Sequence, residues 1–333
     1  MTAAEATVRR DGLAAGPAVA AIRRSAWAVS LLVLLAVLLA FTKLIQPSYG
    51  AIGIQGLAIS VLPLALAAVG QAIVVISGGV DLSIGSMMAL TSVVAAALMK
   101  GQSEEAGVAI FVGVLVLGLV LGAINGFLVV VTRVPDIVVT LAMSFVWAGF
   151  ALLVLKTPGG ASSAWLKEII KGSLGNEWIP KAAVGLLVVV AVVWIPLSRS
   201  KLGLQIYAIG SDRLAAFRSG VGVGRTRIVA YALLGLFAAL GGLSLTASTG
   251  IGTPVPGPYT LLSVAAVVLG GVSLAGGVGG VVGPLLAVII LQLIRTDMTF
   301  LRVDPNLAVV AQGAILIGVV GLGSLIQLRR SRT

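Results

Sequence analysis

The sequence predicts an all-α integral membrane protein of about ten transmembrane helices, and three observations carry that expectation. Of 333 residues, 59% are hydrophobic and only 10% are charged. Mean hydropathy is +1.16. The few charges divide the chain into apolar stretches long enough to cross a bilayer, which takes about 20 helical residues. A soluble domain carries about 25% charged residues. So few charges cannot cover a water-facing surface, and the surplus apolar side chains need lipid as their solvent.

The absences narrow the function. With no Cys and no His, disulfides, thiolate chemistry, Ser–His triads and zinc sites built on those ligands are excluded. This weighs against an enzyme. The net charge of +11 would suggest nucleic acid in a soluble protein. In a membrane protein the same excess is expected in cytoplasmic loops, so no nucleic-acid partner is inferred.

Taken in order, residues 1–25 form a basic tail holding Arg9, Arg10, Arg23 and Arg24, and 26–42 is the first span. The tail is too long for a secretory signal, so an uncleaved span with a cytoplasmic tail is expected. Asp81 is the one charge between 44 and 99, and two spans fit there, 51–77 and 83–99. Further spans follow at 107–131, 137–155 and 182–197, with a polar loop at 156–181. The stretch 228–294 has no charge but is interrupted by Gly and Pro at 250–259 and 270–280. It accommodates crossings at 228–247, 260–272 and 278–294, the middle one short. The last span is 306–327, followed by a basic tail at 328–333. Helices are therefore expected to be short or broken around Gly78 and Ser83 and between Gly270 and Gly280. An even number of spans returns both termini to the cytoplasm. The strongly basic loop 198–227 then lies inside, while 100–106, 156–181 and 295–305 lie outside.

Small features refine this picture. Gly118, Gly122 and Gly126 recur every fourth residue on one helix face, a spacing that allows close helix packing; a pore wall is the other reading. Asp81 also has two readings. It sits where a span begins, so it can cap a helix start, or it can meet solute or protons. With Asp81, the polar residues Gln71, Ser77, Ser83, Asn125, Thr140 and Ser144 are candidates to line a translocation path. Asp81 is the one carboxylate expected deep in the hydrocarbon. Ion-driven transport usually needs more ionisable midplane groups than that, so the energy is expected to come from outside the chain. The run Gly220-Val-Gly222-Val-Gly224-Arg225-Thr226 lacks the Lys and the leading Gly of a phosphate-binding loop. No ATP site is therefore expected in this chain.

The basic loop is the most informative region. Within Gly210, Ser211, Asp212, Arg213, Leu214, Ala215, Ala216, Phe217, Arg218, Ser219 and Gly220, Ser211 or Asp212 can cap a short helix and Gly220 can stop it. Leu214 and Phe217 share a face at i and i+3. An apolar knob on a short helix suits docking into a protein cleft; attachment to an anionic membrane surface is the alternative.

Four segments carry a resemblance: GGVDLSIGSMMAL at 78–90, VPDIVVTLAMSFVWAGF at 134–150, AIGSDRLAAFRSGVGVGRTRIVAYALLGLFAALGGL at 208–243 and LLSVAAVVLGGVSLAGGVGGVVGPLLAVII at 261–290. Together, over about 45–327, they make the chain resemble the permease subunits of bacterial ABC importers for monosaccharides of the ribose, xylose, arabinose and galactose type. The docking segment departs from the family pattern at Asp212-Arg213-Leu214, while Ala215 and Ala216 keep it. The resemblance implies two pseudo-symmetric halves within a permease domain at 26–327, and a homo- or heterodimer of permeases in the bacterial inner membrane. It also implies cytoplasmic ATPase subunits that bind ATP and Mg and dock around Gly210 to Gly220. A periplasmic or lipid-anchored sugar-binding protein would deliver the solute. Competing readings are a related ABC permease for another small solute, such as a branched-chain amino acid or nucleoside, an ion-coupled transporter working alone, and a membrane enzyme acting on lipid.

Overall fold

The computed structural model describes residues 17–255, 257–304, 307, 310, 313 and 314, with side chains from Trp27 onward. Nearly all of the expected last span at 306–327, the tail at 328–333, most of the tail at 1–25, and Pro256 lie outside the described residues. The long helices are α1 (Pro17–Ile45), α2 (Ala51–Ile76), α4 (Glu104–Thr132), α5 (Asp136–Val154), α7 (Lys181–Arg199), α10 (Val223–Thr249) and α12 (Val282–Phe300). All seven contain stretches long and apolar enough to cross a membrane. The shorter apolar helices α3 (Ile84–Met99) and α11 (Tyr259–Leu269) follow or precede helix breaks. Short polar-segment elements complete the order: α6 (Ala164–Ile170), β1 (Ser173–Leu174), β2 (Asn176–Pro180), α8 (Lys201–Ser211) and α9 (Arg213–Arg218).

α2 and α10 form the centre of the bundle. The apolar window of α2 is 89% buried, against 11% for α1, which lies at the edge. α10 packs on α4, α2 and α3. Lipid tails are as apolar as Leu, so burying Leu does not by itself drive membrane helices together; close backbone approach does. The glycines at 118, 122 and 126 meet that requirement. A Cβ on Gly126 would come within 2.9 Å of the Ile228 Cα, and one on Gly122 would strike the Tyr231 carbonyl. Across the same seam, a Cβ on Gly235 would sit 2.8 Å from the Gly122 nitrogen. α3 and α10 are joined by a buried hydroxyl pair, Ser92 with Thr246 at 2.9 Å.

Two helices end in the same way. After α2, Gly79 N–H donates to the Val74 carbonyl at 3.0 Å and Gly78 N–H to Val75 at 2.9 Å, with Gly78 at φ +79. After α11, Val272 N–H donates to Val267 at 3.1 Å and Gly271 N–H to Val268 at 2.9 Å, with Gly271 at φ +80. Each is a left-handed helix stop that glycine adopts without a Cβ penalty.

One loop expectation is corrected. The outer loop expected at 295–305 begins later, because α12 continues to Phe300. Nothing in Arg295-Thr-Asp-Met-Thr-Phe breaks a helix, and the stop comes at Arg302, which takes φ +56. Asp297 is consequently buried and accepts 2.7 Å from the Thr42 hydroxyl, pinning α1 to α12. Asp81 is therefore not the only buried carboxylate in the bundle. The segment 156–181 is structured, with α6 and the β1–β2 hairpin; Glu104 at the start of α4 accepts from Ala164 N–H and Trp165 N–H at 3.1 and 3.3 Å. The basic segment 198–227 is mostly helical, as α8, α9 and the start of α10.

Candidate functional site

The helix break 77–83 is densely bonded. Ser77 ends α2, its hydroxyl donating 2.7 Å to the Val74 carbonyl. Ser83 precedes α3. Between them Asp81 is fully buried. One carboxylate oxygen accepts from Ser83 N–H at 2.6 Å and from the Ser83 hydroxyl at 2.7 Å. The other accepts 3.0 Å from the Asn125 amide, which also donates 2.7 Å to the Ser83 hydroxyl. Trp147 holds Asn125 in place, its indole N–H donating 3.2 Å to the amide oxygen. The Thr140 hydroxyl accepts from Leu82 N–H at 3.0 Å and donates to the Asp136 carbonyl at 2.8 Å. The Gln71 amide, turned so that its nitrogen meets C=O and its oxygen meets N–H, brackets the Asp81 backbone at 3.1 and 3.2 Å.

Six of the seven polar residues singled out in the sequence thus lie buried in this region: Gln71, Ser77, Asp81, Ser83, Asn125 and Thr140. Ser77 bonds only within its own helix end. Ser144 stands apart on α5, bonded at 2.6 Å to Leu141 of its own helix. Asp81 does not bond the first N–H groups inside α3. It closes an Asx-type turn one step earlier, through Ser83, and Gly85 N–H goes instead to the Thr260 hydroxyl of α11 at 3.1 Å.

A second polar group abuts the first. Asp136 opens α5, and its carboxylate pairs with the Arg227 guanidinium and accepts 2.7 Å from the Tyr231 hydroxyl. Gly79 makes room for it: a Cβ there would come within 2.9 Å of the Tyr231 hydroxyl. Arg227, at the end of the basic segment 198–227, is buried and paired. Asp136, Tyr231 and Trp147 were not singled out at all. A signal existed for the pair: Arg227 is the last charge before the uncharged run 228–294, and Asp136 follows Pro135 at the start of an apolar run.

Below the break sits the short exposed helix. The Asp212 carboxylate accepts from Leu214 N–H and Ala215 N–H, both at 2.9 Å, which starts α9. Gly220 at φ +81 ends it, with Val221 N–H donating to the Ala216 carbonyl at 3.0 Å. Ala216 is buried, whereas Leu214 and Phe217 are 57% and 67% exposed. Ser211 donates 2.9 Å to the Tyr207 carbonyl and closes α8.

The last turn of α8 carries the contact that links these parts. Gly210 lies backbone to backbone against the Ile76 carbonyl and Gly277. Gly277 N–H donates 2.9 Å to that same Ile76 carbonyl. A Cβ on Gly276 would sit 2.9 Å from both Gly210 Cα and Gly78 Cα. The Tyr207 hydroxyl adds a bond of 2.8 Å to the Gly279 carbonyl. The mount of α9 is therefore wedged between the two helix breaks. At this contact the backbones meet directly, with no flexible side chain between the mount and either break.

A family model described as branched-chain amino acid transport system / permease component matches residues 53–320. The ribose import permease protein RbsC of Escherichia coli (strain K12) is 33% identical over 262 residues, covering 76% of this chain and 79% of that protein. The galactose/methyl galactoside import permease protein MglC of the same strain is 33% identical over 280 residues, covering 79% and 83%. Its D-allose transport system permease protein AlsC is 30% identical over 264 residues, covering 78% and 80%. No solved structure matches. On the breadth of these matches, the chain belongs to the transport-system permease family that spans residues 53–320.

Proposed function

We propose that this chain is the membrane channel of an ATP-binding-cassette importer for a monosaccharide or similar polyol in the bacterial inner membrane, with both termini in the cytoplasm. The observation that carries the mechanism is the wedge. α9 presents Leu214 and Phe217 outward, and its mount at Gly210 touches both helix breaks. A partner ATPase that binds ATP and Mg would grip α9. Its closure would shift Gly210 against Ile76 and Gly277, and the two halves would rock between outward- and inward-facing states. A binding protein would deliver the solute, and a second permease copy would complete the channel.

The sugar reading rests on relatives named for ribose, galactose and allose import. The family description names branched-chain amino acids, which is the second reading. The segment GGVDLSIG at 78–85 favours sugar. The buried polar residues Gln71, Asp81, Ser83, Asn125 and Thr140 support a structural role in this reading: their bonding partners are protein groups, so they hold the break that moves. A hydroxylated solute needs only transient polar contacts, because tight binding in a channel slows release.

Proteoliposomes test the proposal. The permease with its ATPase and binding protein should accumulate radiolabelled sugar when ATP is supplied, and the permease alone should not, with or without an ion gradient. Uphill uptake by the permease alone overturns the reading. Phe217→Asp should abolish ATPase co-purification while the chain still inserts and folds; normal co-purification would remove α9 from the docking role.

A further inference from the structure

At the same end of the bundle a groove opens between the end of α4, the start of α5, α9 and the start of α10. Arg133, Arg213 and Arg227 line it, with Asp136 as the only carboxylate among the described lining residues. Three guanidiniums against one carboxylate leave an excess of positive charge in a partly enclosed space. Asp136 is already engaged by Arg227 and Tyr231. The Arg227 Nε is buried with no partner. Arg133 takes a left-handed conformation at the end of α4, φ +59, which directs the chain round the groove's rim. Burial and then the charge of Arg227 pull the Arg213 pKa below its ordinary value, while Asp136 opposes this. Arg213 and Arg227 thus crowd like charge into one groove.

The rest of the lining is apolar, including Val130 and Val134. That wall continues onto Val131, Ile137 and Val138, which are exposed on the outer faces of α4 and α5. A soluble anion needs only the cations. An occupant that also matches an apolar wall running onto the exposed apolar surface has a charged head and hydrocarbon tails.

We propose that this groove seats an anionic glycerophospholipid, its phosphate against Arg133 and Arg213 and its first acyl carbons along Val130 and Val134. Guanidinium forks match phosphate oxygens in pairs. Basic pockets between spans suit acidic headgroups. The lipid would lie directly beside α9, since Arg133 also lines the adjoining cleft with Phe217. The choice of leaflet rests on the cytoplasmic placement of this end in the proposed function; the groove itself does not.

The test uses the full-length permease purified in neutral detergent, without ATPase or sugar, so its outcome leaves the transport reading untouched. Thermal unfolding is followed during titration with phosphatidylglycerol, phosphatidylcholine of equal chain length, or inorganic phosphate. Phosphatidylglycerol should raise the midpoint saturably, and the other two should not. The R133Q/R213Q double variant should bind phosphatidylglycerol roughly tenfold more weakly, as expected when charge-assisted hydrogen bonds are lost. The R199Q/K201Q pair, which removes equal charge outside the groove, should keep wild-type affinity. Wild-type affinity in the first variant, equal loss in the second, or full stabilisation by inorganic phosphate each overturns the proposal.

Discussion

The breaks after α2 and after α11 begin with the same glycine stop and then diverge. The first, 77–83, is short and buried, and its polar groups are bonded by α2, α4 and α5. The second, 270–281, holds no charged residue and has glycines with positive φ at 271, 276, 277 and 279. Leu274 and Val278 in it are exposed. Identical stops can thus serve opposite purposes. A bonded network fixes one break in a single geometry, whereas a glycine chain with few side-chain partners is free to re-form. The wedge at Gly210 joins a rigid break to an adaptable one, and in the proposed mechanism the second would take up most of the motion.

The comparison can be broken most forcefully at Arg227. Arg227→Leu removes the ion-pair partner of the partly buried Asp136 carboxylate; the loss should stay below the ~3–5 kcal/mol typical of a fully buried pair, because Asp136 keeps some solvent contact. Because Gly79 packs on that carboxylate, the first break should loosen. Thermal unfolding in detergent should show the loss, and proteolysis within 77–83 should accelerate. A near-normal melting point would mean that the ion pair does not support the break. The next test contrasts matched side chains. Asp81→Leu strands the donors of Ser83 and Asn125, at about 1–3 kcal/mol for each buried group left unpaired. Leu274→Ser, in the second break, should stay within about 0.5 kcal/mol. Equal destabilisation by the two would erase the proposed difference in rigidity.

The smallest effects sharpen the likeness of the stops. Gly78→Ala and Gly271→Ala each force a non-glycine residue into the left-handed region, at about 1–2 kcal/mol. The second should be somewhat worse, since its new methyl would meet the Trp27 ring at 2.9 Å, whereas at Gly78 the nearest atom lies at 3.6 Å. A midpoint shift for only one of them would show that the two stops differ in kind.

Much of this molecule is legible along the chain. The spans at 51–77 and 83–99 correspond to α2 and α3, and the shortness expected at 260–272 corresponds to α11. These features follow from hydropathy and from Gly and Pro, which act over a few residues. The start and end of α9 are also local, an Asp cap and a Gly stop within nine positions. The buried groups are different. Charge counting along the chain treats Arg227 as one more loop cation, yet its partner is 91 residues away. Thr42 and Asp297, separated by 255 residues, were equally hidden.

Composition and spacing by themselves determined that the chain suits lipid, where its apolar helices lie among the described residues, and where they are interrupted, because each depends on transfer energies and backbone preferences summed over neighbouring residues. Only the tertiary structure decided which carboxylates are buried and what satisfies them, and that Gly210 meets Ile76 and Gly277. Those outcomes depend on which helices lie side by side. In a membrane that is set by close backbone contact and a few polar bonds, and neither leaves a periodic trace in the sequence.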